Sequence, residues 1–277
     1  MAIGFSLAHL TVLSYSPPVM TRIAARAGYD YVSFRTIYMG LPNEPNYDLS
    51  ANKDLLRETR QALAETGLSL HDIELARIND DTDPRKYLPA LEIAAELGCR
   101  HVISSVWTLK RDFALDRFRK LCDLARPLGI LVDLEFMVFS EVKTLEEAVS
   151  FLGTVGADNA RILLDTLHFH TSGGSLADLD GVPGELFGFI HLCDGPAEIP
   201  DTKERIIHTA RCRRLYAGKG GIDIAGVVNK LPELVCSIEL PNYVQVEIYG
   251  REEHARRCLE TAKIYFAEHP RQSPSKG

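Results

Sequence analysis

The chain has no apolar run long enough to span a bilayer, no Cys-x-x-Cys pair, no Gly-x-Gly-x-x-Gly fingerprint and no excess of basic charge. The first absence argues against a membrane protein. The six cysteines (Cys99, Cys122, Cys193, Cys212, Cys236, Cys258) stand singly, which argues against a zinc knuckle or a disulfide framework and for reduced, mostly buried thiols. Without a glycine-rich turn after any early strand-like segment, a doubly wound dinucleotide-binding sheet lacks its phosphate loop. A formal net charge of −7 argues against a nucleic-acid partner, which would require a basic surface. A basic leader is also missing ahead of the first apolar stretch, and Ser16-Pro17-Pro18 interrupts soon afterwards. A cytoplasmic location is therefore expected.

What is present is ordinary for a globular protein: 277 residues, 45% hydrophobic and 25% charged. Strand-like and helix-like segments alternate throughout. Ile3–Ala8 reads as a strand, and Pro17–Ala27 as a helix with Ser16 as its cap and proline in its first turn. Tyr31–Phe34, Leu68–Ile73, His101–Val106, Ile130–Leu134, Arg161–Leu164, Phe187–Leu192 and Val235–Ile238 read as further strands. Helices are expected over Asn52–Thr66, Arg85–Leu97, Ala114–Leu128, Leu145–Val155, Ile222–Leu231 and Glu252–Glu268. Gly67, Gly98 and Gly129 close three helices just before a strand, as repeated αβ connections require. The long segments Thr36–Ser50 and Cys193–Gly221 read as loops, the second as a functional one. Its basic cluster, Arg211-Cys212-Arg213-Arg214, reads either as a solvated loop or as a holder of substrate oxygens. Eight strands alternating with about eight helices predict an α/β fold, a (β/α)8 TIM barrel, as one domain over residues 1–268 with a flexible tail at 269–277.

Four polar residues fall at or near the ends of apolar strands: Glu135, Asp165, His191 and Glu239. A charge directly after a buried strand is costly unless paired. In a barrel these four strands are consecutive, and their ends meet on one rim. Three carboxylates and an imidazole gathered there would repel unless a divalent cation sat between them. The set is mainly oxygen, which suits Mn²⁺, Mg²⁺ or Co²⁺ and also admits Zn²⁺. Such a cation would polarise neighbouring carbonyl and hydroxyl oxygens of a substrate, while glutamates beside it move protons at carbon. Alternatives stay open at this level. Asp133 shares a strand face with Glu135, and Glu247 ends the strand-like Val244-Gln245-Val246. His168, three residues after Asp165, reaches the same pocket if the chain turns into a loop there. Asp194, three after His191, is placed to orient a ligand or meet substrate.

The residues Leu7-Ala8-His9-Leu10-Thr11 with Pro17-Pro18, Leu134-Glu135-Phe136-Met137, Leu164-Asp165-Thr166-Leu167-His168-Phe169 with Ser172-Gly173-Gly174, Leu192-Cys193-Asp194-Gly195-Pro196 and Ser237-Ile238-Glu239-Leu240-Pro241-Asn242 carry a resemblance. In this order the chain resembles the sugar phosphate isomerase/epimerase family, the xylose isomerase-like barrels. The resemblance implies that Glu135, Asp165, His191 and Glu239 bind a divalent metal, manganese first among the candidates. It further implies that Glu135 and Glu239 form the acid/base pair, that Glu239 rather than Glu247 is the last ligand, and that His168 contacts substrate oxygen. Arg211, from the basic cluster, is the expected companion of His168 and Asp194 in binding substrate. The implied substrate is a small polyhydroxylated carbonyl compound and the implied assembly a homodimer or homotetramer.

The chain also departs from the family pattern. Ala217-Gly218-Lys219-Gly220 stands where the family often has Pro-Gly-Glu-Gly. His191 stands where many relatives have glutamine, and Phe136-Met137 replaces the histidine of the dehydroshikimate dehydratases. The expected activity is therefore isomerisation or epimerisation of a sugar, keto-sugar or polyol. The alternatives are a metal-dependent dehydratase of an inosose- or dehydroshikimate-like substrate, an abasic-site endonuclease and a non-catalytic sugar-binding barrel.

Overall fold

In the computed structural model, which describes residues 3–40 and 44–271, strand and helix alternate along the chain. The strands are β1 (Phe5–Leu7), β2 (Tyr31–Arg35), β3 (Ser69–Ile78), β4 (His101–Val106), β5 (Leu131–Glu135), β6 (Ala160–Asp165), β7 (Phe187–Leu192) and β8 (Cys236–Ile238). All pair in parallel, in chain order, and β8 closes on β1. The predicted (β/α)8 barrel is present. Among the described residues no helix is long and apolar enough to cross a membrane. Of the expected tail, residues 272–277 lie outside the described part, as do 41–43 of the loop Thr36–Ser50.

Local chemistry sets the alternation. Asn52 and Thr144 cap their helices by accepting the backbone N–H of Leu55 and Glu147. Gly67 and Gly129 turn the chain from helix to strand at φ of 70° and 69°, a left-handed conformation that a side chain resists. Strand residues facing outward, such as Val32, Val102, Val132, Leu134, Ile162 and Ile190, pack with the helices into the main core. Alternation sends the others inward.

The barrel interior is layered. Ile103, Leu163 and Phe189, with Leu75, form a small apolar plug separate from the main core. On one side of Phe189 lie the stacked imidazoles of His71 and His101, 4.8 Å apart, and on the other lies His191. His71 Nδ1 is 3.0 Å from Asp72 Oδ2, and His101 Nδ1 is 2.9 Å from Asp133 Oδ2. Ser33 links this floor together, since its hydroxyl bonds Asp72 and contacts Ser6 and Ser237. Asp133 therefore answers to His101 one layer beneath the rim, and only Glu135 of the pair on β5 reaches the mouth.

Three expectations are corrected. The segment Cys193–Gly221 is not one loop: it contains a helix, Lys203–Cys212, capped by Thr202. Its period was hidden because most of its face is charged. Val244–Glu247 belongs to a helix, Tyr243–Tyr249, rather than a strand, because the Asn242 side chain accepts the N–H of Gln245 and starts a helical turn. Glu247 is consequently exposed on that helix. After Asp165 the chain enters a helix, Thr166–Thr171, and not a loop.

Gly188 makes room for the buried floor, since a Cβ there would lie 1.7 Å from Asp133 Oδ1. Gly188→Ala is expected to lower stability by about 3 kcal/mol through overpacking and displacement of a buried carboxylate. Gly153→Ala, on a helix position with nothing within 4 Å, should be neutral or raise it by up to about 1 kcal/mol. Urea unfolding of both variants checks this, and equal effects would remove the argument.

Candidate metal centre and active site

The strand register brings the four predicted residues together. Asp165 stands opposite His191 across β6 and β7, His191 opposite Ser237 across β7 and β8, and Glu135 opposite Leu163 across β5 and β6. Glu239, two residues beyond Ser237, reaches the same level. Glu135, Asp165, His191 and Glu239 each offer a ligand atom within 4.8 Å of one another, and all four are buried. His191 Nδ1 lies 3.5 Å from Glu239, 3.8 Å from Glu135 and 3.9 Å from Asp165, too far for hydrogen bonds. Both of its ring nitrogens lack a hydrogen-bond partner among the described residues. A buried imidazole with no partner, ringed by three carboxylate oxygens, fits a cation between them.

The charge balance agrees. Arg214, only 2% exposed, donates to Asp165 Oδ2 at 2.6 Å and reaches Glu239 Oε2 at 2.7 Å, while its Nε is fixed on the Ala210 carbonyl. Three carboxylates less one guanidinium leave two negative charges, the complement of one divalent cation. Burial alone would raise the carboxyl of Glu239, but His191 and Arg214 outweigh it and hold the group well below the usual carboxylate range. Asp165 is lowered against the same burial by Arg214 and His168. Burial disfavours a charged His191, yet Glu239 and Glu135 raise its pKa well above the ordinary value. A proton and a cation therefore compete for this imidazole.

Asp165 has two duties. Its Oδ1 accepts the backbone N–H of Leu167 at 2.8 Å and of His168 at 3.0 Å, starting the helix, while Oδ2 faces the cluster. That first turn carries His168 to the rim, with Nε2 4.0 Å from both Glu135 and Asp165. The cluster opens into a cavity of about 440 Å³ lined also by His168, Arg211, Trp107, Met137 and Phe139. This is the size of a small-molecule site.

The remaining expected residues separate. Arg211 lines the cavity from the helix Lys203–Cys212. Asp194 does not: its carboxylate accepts the backbone N–H groups of Gly195, Gly220 and Ile222 at 2.8, 2.9 and 3.0 Å. Its oxygens are taken up by these amides, two of them in the loop after Ala217, so the carboxylate orders that loop. Lys219 is exposed, and His170 bonds the Pro196 carbonyl.

Sequence reasoning missed Arg35, Glu74, Arg77 and the special position of Arg214. Arg35 and Glu74 pair at 2.8 Å on the cavity wall. Both follow an apolar strand residue directly, Phe34 and Ile73, so the rule that singled out Asp165 would have found them.

A family model described as a xylose isomerase-like TIM barrel matches residues 21–263. The chain belongs to this family. Among relatives of the xylose isomerase-like barrel, the inosose isomerase of Bacillus velezensis is 25% identical over 255 residues, covering 87% of this chain and 86% of that protein. The D-psicose 3-epimerase of Agrobacterium fabrum is 30% identical over 83 residues, covering 29% of each chain. A crystal structure of the IOLI protein with a zinc atom bound superposes with a TM-score of 0.80 at 20% identity, covering 96% of this chain and 99% of that one.

Two outcomes follow for this barrel. Asp194→Ala should cost about 3 kcal/mol by orphaning three backbone donors, with hydrogen exchange accelerated at Gly220 and Ile222. Unchanged exchange there would contradict the assigned role.

His9 lies beneath Arg35, accepting the Arg35 N–H at Nδ1 while Nε2 meets the Tyr15 carbonyl, each at 2.8 Å. Burial, with the Arg35 charge, lowers it to about 4. The unfolded chain takes up this proton near pH 6.5, so the neutral ring stabilises the fold above that pH. The benefit is lost as pH falls from 6.5 to about 4, by about 3 kcal/mol in all. His9→Gln should flatten this part of the stability–pH curve, which denaturant titrations at pH 7, 5.5 and 4.5 would show.

Proposed function

We propose that this protein is a divalent-metal-dependent isomerase or epimerase of a small sugar, keto-sugar or polyol-derived ketone, acting by proton transfer at the carbon beside a carbonyl. The observation that carries the reading is the cage of Glu135, Asp165, His191 and Glu239 at the base of a cavity of about 440 Å³. The names of the relatives, inosose isomerase and D-psicose 3-epimerase, support the same reaction class. The ligand set is oxygen-rich, which favours Mn²⁺ and accommodates Mg²⁺ or Co²⁺; the zinc bound to the IOLI protein supports adding Zn²⁺ to the metals to assay.

When bound, the cation supplies a Lewis acid that polarises a carbonyl and its adjacent hydroxyl and offsets the charge that develops as a proton leaves carbon. The chain's own residues do the rest. Glu135 ends β5, Glu239 directly follows β8, and both face the same cavity. One removes the proton from carbon and the other delivers one to the neighbouring carbon or the opposite face. Arg214 keeps Asp165 and Glu239 ionised and fixes their orientation. His168 Nε2, on the cavity wall, is placed to donate to a substrate oxygen, and Arg211 holds oxygens nearer the entrance. Trp107, Met137 and Phe139 add an apolar wall that keeps water from the reacting carbon.

Glu239→Gln removes a ligand and a proton carrier together. Metal content, measured on purified protein, should fall at least tenfold, and turnover of a ketose panel at least 1,000-fold, on the order expected for losing such a group. A chelator should abolish turnover of the wild type, and added Mn²⁺ should restore it. The reading fails if Glu239→Gln leaves both metal content and turnover unchanged.

A further inference from the structure

Four arginines line the cavity, and they divide by partner. Arg214 is held by Asp165 and Glu239, and Arg35 by Glu74. Arg77 and Arg211 form no ion pair with a carboxylate among the described residues. Arg77 leaves β3 with its guanidinium over the Trp107 ring, 4.6 Å from the centroid, and its buried Nε has no hydrogen-bond partner. Arg211 comes from the last turn of the helix Lys203–Cys212 and faces the same space.

Both line the same cavity, so their charges oppose each other there. Burial first, then the charges of Arg35 and Arg211, lower the pKa of Arg77, and the opposing pull of Glu135 and Glu44 is weaker. Arginine nevertheless stays charged at neutral pH. Like charges converging on one wall of a cavity, with a donor left unused, make a surface that gains by taking an anion. The balance is specific. The metal cage with Arg214 is neutral once a divalent cation is counted, and Arg35 with Glu74 is neutral. Arg77 and Arg211 against Glu44 leave one positive charge on the wall.

We infer that Arg77 and Arg211 form an anion-recognition edge, so that the preferred ligand is an acidic polyhydroxylated carbonyl compound bearing a carboxylate or phosphate group. Trp107 orients the Arg77 fork by covering one face of it, leaving its edge for paired oxygens. The reacting end of the ligand rests on the proposed isomerase reading, while the anion edge does not.

The test is calorimetric titration of the metal-loaded protein with D-fructose, D-fructose 6-phosphate and 5-keto-D-gluconate at low salt. At least one of the two anions should bind tenfold or more tightly than D-fructose, and which one does so separates phosphate from carboxylate. Arg77→Gln with Arg211→Gln should weaken that anion at least tenfold more than it weakens D-fructose. Arg77→Lys, which keeps the charge and loses the fork, should fall between, and it replaces the double variant if that one does not fold. Equal binding of neutral and anionic ligands by the wild type overturns the inference. So does a loss in the variants that is the same for all three ligands, or no loss at all, because an anion held by the metal alone would not sense Arg77. If the anion preference appears but no ketose is turned over, the catalytic reading fails and the anion edge stands. Turnover of neutral ketoses without any anion preference has the opposite meaning.

Discussion

A single buried guanidinium sits against two of the three carboxylates at the mouth of the barrel, and the arrangement of the site follows from that contact. Arg214 lies 2.6 Å from Asp165 and 2.7 Å from Glu239, and the Ala210 carbonyl fixes its other end. Without it, three carboxylates would share a dry pocket, and burial would favour protonating at least one. With it, two negative charges remain, which one divalent cation would neutralise. Removing one member of such a buried network leaves the others uncompensated, at a typical cost of about 3–5 kcal/mol.

The barrel beneath sorts polarity by layer. The floor carries two imidazole–carboxylate pairs and a set of serine hydroxyls, the plug carries Ile103, Leu163 and Phe189, and the mouth carries the acid cluster. The plug separates two polar layers with apolar side chains, so the floor's carboxylates do not compete with the mouth for Arg214 or for a cation. Period-2 alternation produces this order directly. Asp133 and Glu135 on β5 point the same way and end in different layers, as do Leu163 and Asp165 on β6, and Phe189 and His191 on β7.

Legibility in the sequence tracked how local each signal was. The eight strands and most helices could be read because glycine stops, caps and apolar runs act within a few residues. Asp165 and Glu135 stood out because a charge ending an apolar run is conspicuous. Arg35 on β2 and Glu74 on β3 obey the same rule, each directly after an apolar strand residue, and were legible on the same grounds. Glu239 and Glu247 were indistinguishable by period, and a side-chain cap at Asn242 is what makes the second helical. Arg214 was beyond local reading. Its partners lie 49 and 25 residues away, and a run of basic residues looks like surface until the chain has folded. Asp194 shows the reverse, a residue that looked free at the rim until amides 26 and 28 residues later claimed it.

Asp165 divides its two oxygens between a helix and the cluster, so neither structure is independent of the other. The backbone amides of Leu167 and His168 are tied to the oxygen geminal to the one at the mouth. Electron density drawn toward the mouth is density withdrawn from that cap. The state of the mouth is thereby reported to the peptide groups of the first helical turn, which makes their amide resonances a native gauge of occupancy. It also means that position 165 is frozen twice over: a substitution acceptable to the helix is wrong for the mouth, and one acceptable to the mouth uncaps the helix.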